Sequence, residues 1–174
     1  MENRNTFEPS YYIGYVNQVS AQYVKVHFPS STLLQSFTFK GENLNGGLVG
    51  NFVVIEGEQY GFLGKILELS LPEKERLELS EKSFKNKDFH PTGKIEILLS
   101  FDLFEPSKVE KGLNSLPVIG AKVFVCSSDF IKDYFRRFGV KENAAKNSPV
   151  FDLGTLTYNK SASIEISQQA LFGR

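Results

Sequence analysis

A glycine near the start of an apolar run recurs along this chain: "IGYV" (13–16), "LGKI" (63–66), "TGKI" (92–95) and "LGTL" (153–156). Each places an apolar residue two positions after the glycine. Glycine weakens a strand, so within one it marks a bulge, a sharp bend or a close backbone approach. Bends in several strands are what a small sheet needs to close into a barrel. No fixed period links the four motifs, which excludes a repeat array.

The runs around these glycines have strand grammar. "YYIGYVNQVSAQYVKVHF" holds two alternating stretches about a polar turn, with Val24, Val26 and Phe28 on one face and Tyr23, Lys25 and His27 on the other. That pattern predicts a hairpin. After the break at Gly46 and Gly47, further strands are expected in "NFVVIE", "YGFLGKILEL", "GKIEILLSFDLF", "AKVFVCS", "DLGTLTYN" and "SASIEIS". Sixteen Phe and seven Tyr with no Trp suit short strands better than long helices. One helix is expected in "SSDFIKDYFRRFG": Ser127 and Ser128 cap it, Asp129 lies in its first turn and Gly139 stops it. Phe130, Ile131, Tyr134, Phe135 and Phe138 share its apolar face, and Asp133 can pair with Arg137 one turn on.

At 174 residues the chain fits one domain, burying roughly 70% of its extended surface. The expected fold is mainly β: a small closed β-barrel with one helix in an insertion. Residues 1–10 read as a flexible polar arm, 11–170 as the barrel, and about 105–150 as the insertion, ending in the polar linker "VKENAAKNSP".

The residues that carry chemistry are sparse. The lone Cys126 excludes an internal disulfide, and its apolar neighbours predict a buried, inert thiol. Twenty basic residues balance twenty acidic ones, so no strong polyanion-binding field is expected. There is no G-x-x-x-x-G-K-[ST]: in "YGFLGKIL" Gln59 stands where the first glycine belongs and Ile66 where the hydroxyl does. His27 and His90 lie far apart without a ligand-spaced partner, and His27 reads as a residue on a strand's polar face. The run "LPEKERLELSEKSFKNKD" mixes signs and reads as a solvated face or loop; the cluster of Lys132, Arg136, Arg137, Lys141 and Lys146 sits amid matching acids and reads as a solvated surface. No catalytic, cofactor-binding or metal-binding residue is expected in this stretch. No apolar run approaches the ~20 residues of a membrane span. With no apolar signal core at the start, a cytoplasmic protein without a membrane partner is expected.

The order of these pieces, together with the tail, resembles the N-terminal barrel (HAS-barrel) of HerA-type hexameric ATPases, shared in outline with the rotary ATP synthases. "IGYVNQVSAQYVKVHF" looks like that barrel's first hairpin. "GGLVGNFVVIE", "YGFLGKILELSLPE" and "TGKIEILLSFDLFE" are similar to its following strands. "KVEKGLNSLPVIGAKVFVCS" is similar to the family's P-x-x-G turn (here Pro117 to Gly120) before a valine-rich strand. "DLGTLTYNKSASIEISQQALFGR" looks like the exit into the motor, with 171–174 as the entry and Gly173 and Arg174 as the link.

The resemblance covers about 11–174. It implies a homo-oligomer, a hexameric ring that translocates DNA, whose barrels build one tier and dock an effector. That effector is a nuclease in DNA-end processing, or a nuclease or sirtuin-like NAD-consuming enzyme in bacterial anti-phage defence. ATP and magnesium would belong to the full-length protein, because the family's nucleotide residues fall beyond position 174. Within 1–174 the largest charged elaborations are the effector-docking candidates: Glu73, Lys74, Glu75 and Arg76, with Arg136 and Arg137. Two rival expectations are a stand-alone barrel that binds nucleic acid and a virion assembly module.

Overall fold

A computed structural model describes residues 6–80, 88–104, 109–110, 115–139, 150–156, 159–168 and 172. Contacts divide the chain into two compact units, Met1–Val125 and Cys126–Arg174. The first unit contains β1 (Tyr12–Val19), β2 (Tyr23–His27), β3 (Phe37–Phe39), β4 (Glu42–Leu44), β5 (Phe52–Ile55), β6 (Tyr60–Ser70), α1 (Glu73–Ser80), β7 (Thr92–Asp102), β8 (Val109–Glu110) and β9 (Lys122–Val125). The second contains α2 (Ser128–Gly139), β10 (Val150–Leu156) and β11 (Asn159–Ser167).

Six strands of the first unit close a barrel. Antiparallel pairing runs β1, β2, β7, β6, β5, β9 and back to β1. The order β9-β5-β6-β7 is a Greek key, three hairpin-connected strands with a fourth returning beside the first. Val16, Val24, Val26, Ile66 and Ile95 fill the interior at 0% exposure, as the alternation in β1, β2 and β7 requires. The fold is therefore mainly β with a closed antiparallel barrel, as the sequence led us to expect.

Three of the four recurrent glycines sit at irregularities of strand pairing, two in the barrel and Gly154 in the β10–β11 pair of the second unit. Register shifts fall between Tyr12 and Gly14, between Leu63 and Gly64, and between Asp152 and Thr155 around Gly154. Gly14 and Gly93 flank the ring of Phe28, which is fully buried. A Cβ on Gly14 would lie 2.4 Å from the His27 carbonyl oxygen, and one on Gly93 would lie 2.7 Å from the Phe28 ring. Neither neighbour can move cheaply, since one is ladder backbone and the other core.

Three local features depart from the sequence reading. Of the expected arm, residues 6–10 are described and are held down: the Phe7 ring lies 5.5 Å edge-on to Phe124 and 6.4 Å from Phe101. Second, β3 and β4 form a hairpin the sequence did not announce. Its two-residue turn, Lys40 and Gly41, has both φ angles positive (50° and 81°), and Tyr11 packs on Phe37 and Phe39. Third, the stretch read as a charged loop opens with the helix α1.

In the second unit, Ser127 caps α2: its hydroxyl accepts from the Phe130 N–H at 3.3 Å and its carbonyl from the Ile131 N–H at 3.1 Å. Ile131 is buried, and Tyr134 and Phe135 pack edge-on at 5.2 Å. Burial pushes the Tyr134 phenol above its ordinary pKa. β10 and β11 pair with each other, and α2 packs along β11. Cys126 is 3% exposed, buried as the sequence predicts. Gly173 and Arg174 lie outside the described residues.

Candidate interaction site

The polar cluster of the barrel grows out of the seam between β2 and β7. Past the strand ends the two chains keep pairing: the Phe28 N–H donates to the Pro91 carbonyl at 2.9 Å, and the Ser31 N–H to the Phe89 carbonyl at 2.7 Å. The Ser31 hydroxyl and N–H also donate to Asp88 Oδ1, at 2.8 and 3.0 Å. Hydrogen bonds from the Ser30 and Ser31 side chains hold the Asp88 carboxyl below its ordinary pKa; burial opposes them, and the Ser31 N–H and nearby His90 assist to a smaller degree.

Glu75 reaches this seam from α1. One carboxylate oxygen accepts the His90 N–H at 2.8 Å, and the other lies 2.9 Å from His90 Nδ1. A carboxylate can only accept, so Nδ1 carries the proton and Nε2 is left to bind elsewhere. The Glu75 side chain is 16% exposed and His90 49%. α1 is a strongly polar helix of eight residues with no apolar stripe. This two-pronged clasp therefore does much to fix it to the barrel.

The same seam unites the two histidines, which the sequence places far apart. Their rings are parallel to within 2° at a centroid distance of 6.3 Å, and Tyr15 lies 5.2 Å from His27 on the other side. His27 does face outward from its strand, as expected, because its neighbours Val26 and Phe28 turn inward. Sequence reasoning missed the pairing because it depends on which residue of β2 faces which residue near β7. The one available hint was that His27 closes the strand-like "YVKVH" while His90 stands just before the strand-like "GKIEILL".

The docking candidates separate. Glu73, Lys74 and Arg76 are exposed on α1, while Glu75 is turned inward onto His90. Arg136 is exposed on α2, in the other unit, and the side chain of Arg137 lies outside the described residues. No group of three or more His, Cys, Asp or Glu that could hold a metal occurs among the described residues. Among them, too, no helix is long and apolar enough to cross a membrane. No protein-family model matches the chain, and no curated protein matches its sequence.

Proposed function

We propose that this chain is the non-catalytic barrel tier of a HerA-like hexameric ATPase, serving ring assembly and the docking of an effector, a nuclease or a sirtuin-like NAD-consuming enzyme. The observation that carries the reading is the closed six-stranded barrel in Greek-key order, with a P-x-x-G turn leading into β9. That turn is well formed: the Ala121 N–H donates to the Val118 carbonyl at 3.1 Å, and Gly120 takes a φ of 90°. At its tip Val118 and Ile119 are 58% and 70% exposed, the kind of apolar surface a subunit contact covers. Glu73, Lys74 and Arg76 on α1, and Arg136 and Arg137 on α2, are the proposed effector contacts.

The reading frame beyond Arg174 supplies the first test. An apolar strand followed by G-x-x-x-x-G-K-[ST] within about fifteen residues is expected, since a phosphate cradle follows a buried strand. A continuation without that loop sinks the motor. The second test is light scattering of the full-length protein: a hexamer is expected, and Val118→Asp with Ile119→Asp should dissociate it. Arg136→Glu with Arg137→Glu should weaken effector co-purification while leaving the ring intact.

A further inference from the structure

We propose that the outer wall of β2, with its flanks on β1 and β7, binds single-stranded nucleic acid. The inference does not depend on the ring reading above. Its basis is a register: Lys25 and Lys94 are direct partners across the antiparallel β2–β7 ladder. Both lie on the outward face, since Val24, Val26 and Ile95 turn inward. Among the described residues neither ammonium group has a carboxylate within 4.0 Å. Like charges set directly opposite destabilise a sheet, and a phosphate seated between them removes the repulsion.

The surroundings supply what bases need. The Lys94 ammonium lies 4.1 Å from the centroid of the Tyr23 ring, a cation–π contact that lays the side chain along the wall. Two positions on from Lys25 is His27, flanked by Tyr15 at 5.2 Å and by His90 at 6.3 Å. Tyr15 is 38% exposed and His90 49%. Half-exposed rings beside paired cations are the arrangement by which sequence-tolerant single-strand binders stack bases and track the backbone. Two acids adjoin the pair in register: Glu68 on β6 stands opposite Lys94, and Glu96 on β7 stands opposite Tyr23. On the β1 side Lys25 faces Gln18 instead. The polynucleotide therefore passes over β1 and β2, and the chain's zero net charge does not forbid it because the field that matters is local.

The test uses the full chain and a fluorescein-labelled oligothymidylate dodecamer at low ionic strength, read by fluorescence anisotropy. Saturable binding that weakens steeply with added salt is expected. An abasic dodecamer carrying the same phosphates is expected to bind about tenfold more weakly, because it cannot stack. Lys25→Ala with Lys94→Ala should lower affinity for the thymidine strand about tenfold, while the melting midpoint of the protein stays close to the wild-type value, since relief of the repulsion offsets loss of the Lys94–Tyr23 contact. Absence of saturable binding overturns the proposal, and so does a double variant that binds the strand as wild type does. Equal affinity for the abasic strand, or a polyglutamate peptide of matching length binding as well, would leave a generic anion or acidic-protein site and overturn it too. The abasic comparison needs no variant, so a misfolded mutant cannot hide the answer.

Discussion

The β5–β9 side of the barrel and its β2–β7 side share one antiparallel ladder and differ in which faces they hide. In β5, Val53, Val54 and Ile55 are all at 0% exposure, and in β9, Val123, Phe124 and Val125 are all at 4% or less. Consecutive buried residues mean that both faces are covered. In β2, Val24 and Val26 are buried while Tyr23, Lys25 and His27 face outward. β7 repeats the alternation, with Lys94 and Glu96 outward. A strand with a continuous apolar run has no face to give away, so it serves packing. A strand with an alternating run has a polar face free for recognition, and a one-residue slip would bury that face.

The sharpest way to break the comparison is to cut one residue from each side. Ile55→Ala is expected to cost about 3 kcal/mol, from lost transfer energy plus a cavity. Lys25→Ala should stay within about 0.5 kcal/mol of wild type. Urea denaturation of the two variants measures both, and similar losses would mean that the walls are not energetically distinct. Next in size is Gly14→Ala at the β1–β2 seam. Its new Cβ meets the His27 carbonyl oxygen at 2.4 Å, so the ladder must shift, at a cost of about 2 kcal/mol. A neutral result would show that the seam is more pliable than its close approach implies.

Smaller effects belong to the polar wall. Glu75→Gln replaces a charge-assisted clasp on His90 with a neutral one, and because the pair is partly exposed the loss should be about 1 kcal/mol. The diagnostic readout is faster amide exchange at His90 and along α1 than in the barrel strands; unchanged protection would mean that the helix is anchored otherwise. The smallest effect is at Asp88, whose carboxyl pKa is held low by its serine partners. A depressed carboxyl contributes stability above its unfolded value, about pH 4, and loses it as pH falls through the folded value. Asp88→Asn should therefore lower stability slightly at neutral pH and flatten the acid limb of the stability curve. An identical acid limb would rule that contribution out.

Much of the barrel was legible because it depends on short-range pattern. The alternation of "YVKVH" and the glycines of "IGYV", "LGKI" and "TGKI" told of strands and bends, and the capping serines told of α2. The β3–β4 hairpin was harder to see, because its turn is Lys-Gly rather than the Asn-Gly or Asp-Gly that usually marks two positive φ angles. α1 was unreadable for a related reason: a helix without an apolar stripe carries no periodic signal, and its clasp comes from a histidine fifteen positions away.

What the sequence determined by itself was which residues are apolar at which spacing. That spacing settled strand or helix and inward or outward, since burial of apolar surface acts residue by residue along a local period. What the tertiary structure alone decided was who faces whom. The pairing of His27 with His90, the opposition of Lys25 and Lys94, and the grip of Glu75 all follow from the register between β2 and β7. That register is set jointly by closure of the barrel, by Phe28 lodged between Gly14 and Gly93, and by the bulges of the neighbouring strands. These constraints join residues distant in sequence, so no local reading of the chain contains them.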